Sequence, residues 1–312
     1  MFRRITVFIL IILLMAMLSI PGSASQSGAL NGKVIILDPG HGFNSTNIYR
    51  GYNEQAAMLA LALKIKPLLE AHGATVHLTR STSADVSLST RAALANIWSL
   101  EALKAARIRN VTTYSSIIPE LNEIDRLIST MNSVITDPET NGEIYFNTPF
   151  RPDAPIHPDL QRIFEMQSDP VVGDNFLFIS LHTNATGRPI NTLRNGADIF
   201  HISNNHSRLT DYYTNYSYAH KSRRFGRTLL DHINDTGIRK RSISSANFFM
   251  IREHNLPAVL AENGYHTNTG DRTKLMNDNF LDTLALAYLN AIIDYYFPPL
   301  FVPAGAYSSY TS

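Results

Sequence analysis

Apolar positions along this chain fall into two alternating kinds of run. Short unbroken runs at 33–37, 176–181 and 258–261 are bounded by turn-forming residues and predict buried strands. Longer stretches place apolar residues at three- and four-residue steps and predict amphipathic helices. These are 54–72 (Met58, Leu61, Ile65, Leu68, Leu69), 88–97, 222–235 (Phe225, Leu229, Ile233) and 280–296. Further strands are expected at 74–79, 197–202 and 248–251. Gly73 is placed to cap the first helix, Pro67 to kink or end it locally, and Pro298-Pro299 to stop the last one. This alternation predicts an α/β fold: a single twisted, mostly parallel sheet with helices on both faces.

The alternation breaks between about Trp98 and Asp174. There Ile117, Leu121, Ile124, Ile128, Met131 and Ile135 form one helical stripe, followed by a proline-rich polar run and a short helix at 159–167. The stretch reads as a helical and loop insertion into the core. Its stripe is a cover for apolar surface, a lid over a cleft, or a docking face for an activator.

The chain has 312 residues, and its 27 basic and 26 acidic side chains leave a formal net charge of +1, which gives no argument for nucleic acid as a partner. It has no cysteine, so disulfides and thiolate metal sites are excluded and any metal takes nitrogen and oxygen donors. Arg3 and Arg4 precede an uncharged apolar run at 7–20, then Pro21, Gly22 and small residues. That run falls short of the roughly 20 residues a membrane span needs. Residues 1–25 are therefore expected to be an export signal cleaved near Ser25 or Gln26, leaving 26–312 as one catalytic domain with a loose tail at 300–312. The destination is the periplasm or the cell wall; membrane contact arises only if the signal stays uncleaved.

The candidate chemistry sits at strand ends, where open α/β sheets build their sites. The first strand runs through Asp38-Pro39-Gly40 to His41, the 176–181 run delivers His182, and the 258–261 run ends at Glu262. Zinc in a hydrolase usually takes three protein donors and leaves one position for water. His41 and His182 are the ligand candidates, and the third donor is another nitrogen or an oxygen. Glu54, at a helix start shortly after the His41 loop, can turn back toward that strand end. Glu262 then remains to take a proton from a water whose pKa the metal lowers toward about 7.

The chain resembles the zinc-dependent N-acetylmuramoyl-L-alanine amidases of the Amidase_3 family. The matching pieces are Asp38-Pro39-Gly40-His41-Gly42, Glu54, His77-Leu78-Thr79-Arg80, Ser89-Thr90-Arg91, Ser180-Leu181-His182-Thr183-Asn184 and Leu256-Pro257 through Glu262-Asn263-Gly264. The resemblance implies one zinc ion held by His41, Glu54 and His182, a catalytic Glu262, and cleavage of the amide between N-acetylmuramic acid and L-alanine in peptidoglycan. Two other readings use the same residues: a zinc peptidase acting on the stem peptide, and a non-catalytic wall-binding or regulatory protein. Asp38, Arg80 and Asn184 are candidates for the surrounding shell or for substrate contact. Arg80 and Arg91 are expected to bridge carboxylates, and His266 is the remaining histidine nearest this chemistry.

Overall fold

The computed structural model describes residues 28–42, 47–149 and 152–298; the expected export signal at 1–25 and the tail at 300–312 lie outside the described residues. The strands are β1 (Val34–Pro39), β2 (Ile48–Tyr49), β3 (Tyr52–Asn53), β4 (Thr75–Leu78), β5 (Phe176–Asn184), β6 (Ala197–His201), β7 (Lys240–Ser245) and β8 (Ala258–Tyr265). The helices are α1 (Glu54–Ala71), α2 (Leu88–Asn110), α3 (Ile118–Thr136), α4 (Thr140–Tyr145), α5 (Pro158–Gln167), α6 (Pro170–Gly173), α7 (Ala219–Asp235), α8 (Phe249–Arg252), α9 (Thr269–Leu275) and α10 (Asp278–Tyr296). Six strands form one sheet in the order β4-β1-β5-β8-β6-β7, and β2 and β3 form a separate hairpin. β4, β1, β5 and β8 are parallel, β6 is antiparallel to β8, and β7 is parallel to β6. The sheet is mostly parallel, as the alternation of elements predicts.

Side chains alternate across each strand, so each core strand feeds two cores. Ile35, Leu37, Leu177, Ile179, Leu181, Val259 and Ala261 pack with buried residues of α1, α7 and α10. Ile36, Phe176, Phe178, Ala258 and Leu260 pack on the other face with residues of α2, α5 and α8. Polar caps start the helices: Asn53 accepts from Ala56 N for α1, Ser87 from Thr90 N for α2 and Asn277 from Phe280 N for α10. α1 continues past Pro67 to Ala71. The hydrogen bond that Pro67 forfeits would have ended on Leu63, whose side chain is 46% exposed, so water can serve that carbonyl.

Three local expectations change. α2 runs through Trp98 to Asn110, because Leu100, Leu103 and Ala106 prolong its buried stripe. The 248–251 run is the helical turn α8 rather than a strand; a four-residue apolar run carries no period to separate the two. β7, Lys240–Ser245, is an edge strand with only Ile243 as an apolar residue, and no alternation announces it. The 117–135 stripe becomes α3, which buries Leu121 and places Ile124, Leu127, Met131 and Val134 in the core on the α2 side of the sheet. α3 packs along α2 as an outer layer. The segment after it is tied to the core where Arg252 Nη2 donates to Thr148 O at 2.6 Å. Among the described residues, no helix is long and apolar enough to cross a membrane.

Candidate active site

The strand order sets the site. β5 lies between β1 and β8, so the C-terminal ends of three parallel strands stand side by side. His182 on β5 and Glu262 on β8 are register partners. The position beside His182 on the β1 side is Gly40, whose N–H donates to Leu181 O at 2.8 Å. A Cβ at Gly40 would come within 2.4 Å of His182 Cε1, so only glycine lets the imidazole lie across the end of β1. His41 follows with φ 59°, in the left-handed region that a residue with a Cβ occupies only when its surroundings hold it there.

Two buried arginines do the holding. Arg80 donates to Pro39 O, Gly40 O and Gln55 O at 2.9, 2.8 and 2.8 Å. Arg91 donates to Pro39 O at 2.7 Å and to His41 O, and pairs with Asp38 at 3.1 Å. The expected bridging of carboxylates therefore applies to Arg91 and Asp38 only; Arg80 spends its donors on main-chain carbonyls. Asp38 also accepts from Thr79 and Ser180 hydroxyls at 2.5 and 2.6 Å, which fills it with partners other than the two histidines. Burial raises the Asp38 pKa, but Arg91 and the two hydroxyls outweigh it and hold the carboxyl below its usual range.

Glu54 opens α1 and is 1% exposed. Its Oε1 lies 3.3 Å from His41 Nε2 and 3.2 Å from His182 Nδ1. A tetrahedral ion about 2.0–2.1 Å from each donor requires donor separations of about 3.3 Å. The donor atoms of His41, Glu54 and His182 all lie within 4.8 Å of one another. The set thus fits a zinc-sized cation in spacing and in chemistry. Burial pushes the Glu54 pKa up, but hydrogen bonds from His182 and His41 override it and keep the carboxyl ionised well below the usual range. Thr183 N donates to Glu54 Oε1 at 2.9 Å, and Asn47 Nδ2 to Oε2 at 3.0 Å. Asn47 Nδ2 is also 2.9 Å from His41 Nε2.

Glu262 is different. Its Oε2 is closed off from solvent and has no hydrogen-bond partner among the described residues. Burial, then the charges of Glu54 and Asp198, push its pKa well above the carboxylate range. Asp198 is its register partner on β6, so two carboxylates stand across from each other. Asp198, however, accepts from Ser242 Oγ, Tyr265 OH and Arg241 Nε at 2.5, 2.9 and 3.2 Å. Asp198 thus has three donors, whereas Glu262 Oε2 has none among the described residues. A carboxyl with a raised pKa beside candidate metal donors is suited to taking up and returning a proton.

Asn184 bonds Tyr265 OH through Nδ2 at 3.1 Å and Ala185 N through Oδ1, so it links β5 to the Asp198 network. His266 stacks on Tyr52 with ring centroids 5.3 Å apart and bonds Thr183 Oγ1 at 3.0 Å. It supports the strand whose amide holds Glu54, and is not one of the grouped donors. The structure thus brings His41, Glu54 and His182 together, with Glu262 next to His182. Sequence reasoning missed Asn47, Thr183, Asp198 and the role of Gly40. Asp198 alone carried a signal: a carboxylate between Ala197 and the apolar pair Ile199-Phe200 of a strand.

Residues 35–103 and 153–294 match the family Amidase_3, N-acetylmuramoyl-L-alanine amidase, leaving 104–152 outside the match. The N-acetylmuramoyl-L-alanine amidase CwlM of Bacillus licheniformis is 39% identical over 54 residues, 17% of this chain and 21% of that protein. The probable cell wall amidase LytH of Staphylococcus saprophyticus is 41% identical over 66 residues, 20% of this chain and 23% of that protein. The matched segments thus span about a fifth of the length of these curated relatives. Among solved structures, the N-acetylmuramoyl-L-alanine amidase of Clostridium difficile 630 has the same fold: TM-score 0.52, 20% identity, covering 86% of this chain and 98% of that one.

Proposed function

This chain belongs to the Amidase_3 family of N-acetylmuramoyl-L-alanine amidases, and from that premise we propose that it is an exported zinc hydrolase that cuts peptidoglycan between N-acetylmuramic acid and L-alanine. The observation that carries the proposal is the three-donor cluster of His41, Glu54 and His182, with the unpartnered Glu262 oxygen on the next strand. When bound, the zinc ion supplies a Lewis acid that polarises the lactyl carbonyl and acidifies a water beside it.

The remaining work belongs to side chains. His41, Glu54 and His182 bind the cation, and Thr183 N and Asn47 fix the Glu54 oxygens so that both imidazoles face one of them. Glu262 takes a proton from the attacking water as the carbon–oxygen bond forms. It returns that proton to the alanine nitrogen as the carbon–nitrogen bond breaks, leaving a lactyl carboxylate and a free amine. Burial, then the charges of Glu54 and Asp198, raises the Glu262 pKa, which favours its taking and holding the proton between the two transfers.

Digestion of purified peptidoglycan, followed by mass spectrometry of the products, tests this. The expected products are intact stem peptides with a new L-alanine amino terminus, no new reducing sugar ends, and no release after chelation. Cut stem peptides or free D-alanine would assign the site to peptidase chemistry instead. Unchanged glycan and peptide would leave a binding protein.

A further inference from the structure

An irregular point of the sheet falls on the candidate site. His182 pairs with Glu262 and Asn184 with Tyr265, so two residue steps on β5 match three on β8. Gly264 lies in the extra length at φ 128°, in the left-handed region that favours glycine. A bulge of this kind disrupts the ladder and bends the strand that carries it. The ladder that sets His182 against Glu262 is thus broken immediately beyond them.

Asn263 sits at that break. Successive side chains of a strand point to opposite faces, so Asn263 turns into the core on the α1 side and Glu262 faces the other way. Asn263 is fully buried. Its Nδ2 donates to His182 O at 3.1 Å and to Ala261 O at 3.2 Å. Its Oδ1 accepts from Tyr288 OH of α10 at 2.8 Å. The two carbonyls can only accept, so Nδ2 faces them and Oδ1 takes the Tyr288 proton. Tyr288 is itself fully buried, in an apolar core with Met58, Leu61, Val259 and Ala261. Among such neighbours a hydrogen-bonded amide and its partner stabilise the fold little more than apolar side chains of the same shape would. What the amide adds is direction: it joins one chosen point of β8 to one chosen carbonyl of β5.

We propose that Asn263 is a positioning residue for the hydrolytic site, tying the main chain just past Glu262 to the carbonyl of His182, with Tyr288 locking its amide. The role deepens the hydrolytic reading of His182 and Glu262 and rests on it. With the tie in place, β5 and β8 cannot shear at the bulge. The His182 ring then keeps Nδ1 3.2 Å from Glu54 Oε1, and Glu262 keeps its place beside the ring. Asn263 acts through these two side chains and not on the substrate.

The test compares Asn263→Leu and Tyr288→Phe with Ile233→Ala, a cavity on α7 in the same core. Each full-length protein is loaded with zinc for kinetics on peptidoglycan and with cobalt(II) for visible absorption, whose bands report donor geometry. Urea unfolding measures the stability of each. Asn263→Leu should keep one metal ion, lower kcat by about tenfold to a hundredfold with little change in KM, and shift the cobalt bands. Tyr288→Phe should move kcat and the bands the same way by less. Ile233→Ala should lose stability while keeping the wild-type bands and kcat. Wild-type bands and kcat in both the Asn263 and Tyr288 variants would overturn the proposal, leaving the pair as packing. Should Asn263→Leu fail to fold, Tyr288→Phe decides alone. Wild-type protein that binds cobalt but leaves peptidoglycan intact would remove the hydrolytic reading, and the spectra would still decide whether Asn263 positions His182. Protein that takes up no cobalt would overturn both.

Discussion

His182 and Glu262 are partners across the β5–β8 boundary, the one among the candidate metal donors and the other with an oxygen that has no hydrogen-bond partner among the described residues. Parallel strands lie about 4.8 Å apart. A candidate metal ligand and the proposed proton acceptor are therefore held one strand spacing apart by main-chain hydrogen bonds rather than by a loop. Their separation is as rigid as the sheet.

Glu262→Gln should keep zinc at wild-type stoichiometry and lower kcat by about 10²–10⁴-fold, since the proton acceptor goes and the donors stay. Metal analysis alongside turnover on peptidoglycan checks this. Full activity in the variant would remove Glu262 from the reaction.

Gly40→Ala should fold yet bind zinc at least tenfold more weakly. The new Cβ meets the His182 ring at 2.4 Å, and the imidazole must tilt away from Glu54. Competition with a chromogenic chelator measures the change, and circular dichroism verifies the fold.

Asp198→Asn should shift the acid limb of kcat/KM to lower pH. The Asp198 charge raises the Glu262 pKa, so removing it lets Glu262 ionise earlier. A general base must be ionised to act, so activity should persist further into acid. A pH–rate profile that does not move would show that the two carboxylates are uncoupled.

His254 gives a pH effect on stability. It is fully buried against Phe178, with ring centroids 4.6 Å apart, and burial pushes its pKa down to about 4. The unfolded chain binds this proton near pH 6.5, so the stabilisation is present above that value. It drains away as pH falls toward about 4, by on the order of 3 kcal/mol. Urea unfolding at pH 7 and 4.5 should show His254→Gln losing less stability on acidification than the wild type.

Much of this was legible in the sequence because buried parallel strands write themselves as unbroken apolar runs, and a histidine or glutamate at the end of such a run stands out. His41, His182 and Glu262 are of that kind. Glu54 sits on a helix, where its place just after the His41 loop made it a candidate and the family likeness strengthened it. What stayed hidden depends on neighbours far away in the chain. Gly40 looks like a turn residue until His182 is laid over it, and Asp198 has meaning only once β6 is seen to run antiparallel beside β8. Arg80 serves carbonyls, which carry no sequence signal at all. β7 is polar and half-exposed, so no periodicity marked it.

The placement of β5 has a consequence for biogenesis. Its partners β1 and β8 begin at Val34 and Ala258, so the central strand reaches its finished pairing only once the chain as far as β8 has emerged. A chain interrupted before Ala258 would hold the three candidate metal donors without Glu262, the proposed proton acceptor. The proposed activity thus waits on the last-made strand of the sheet, a safeguard that the order of the strands alone provides.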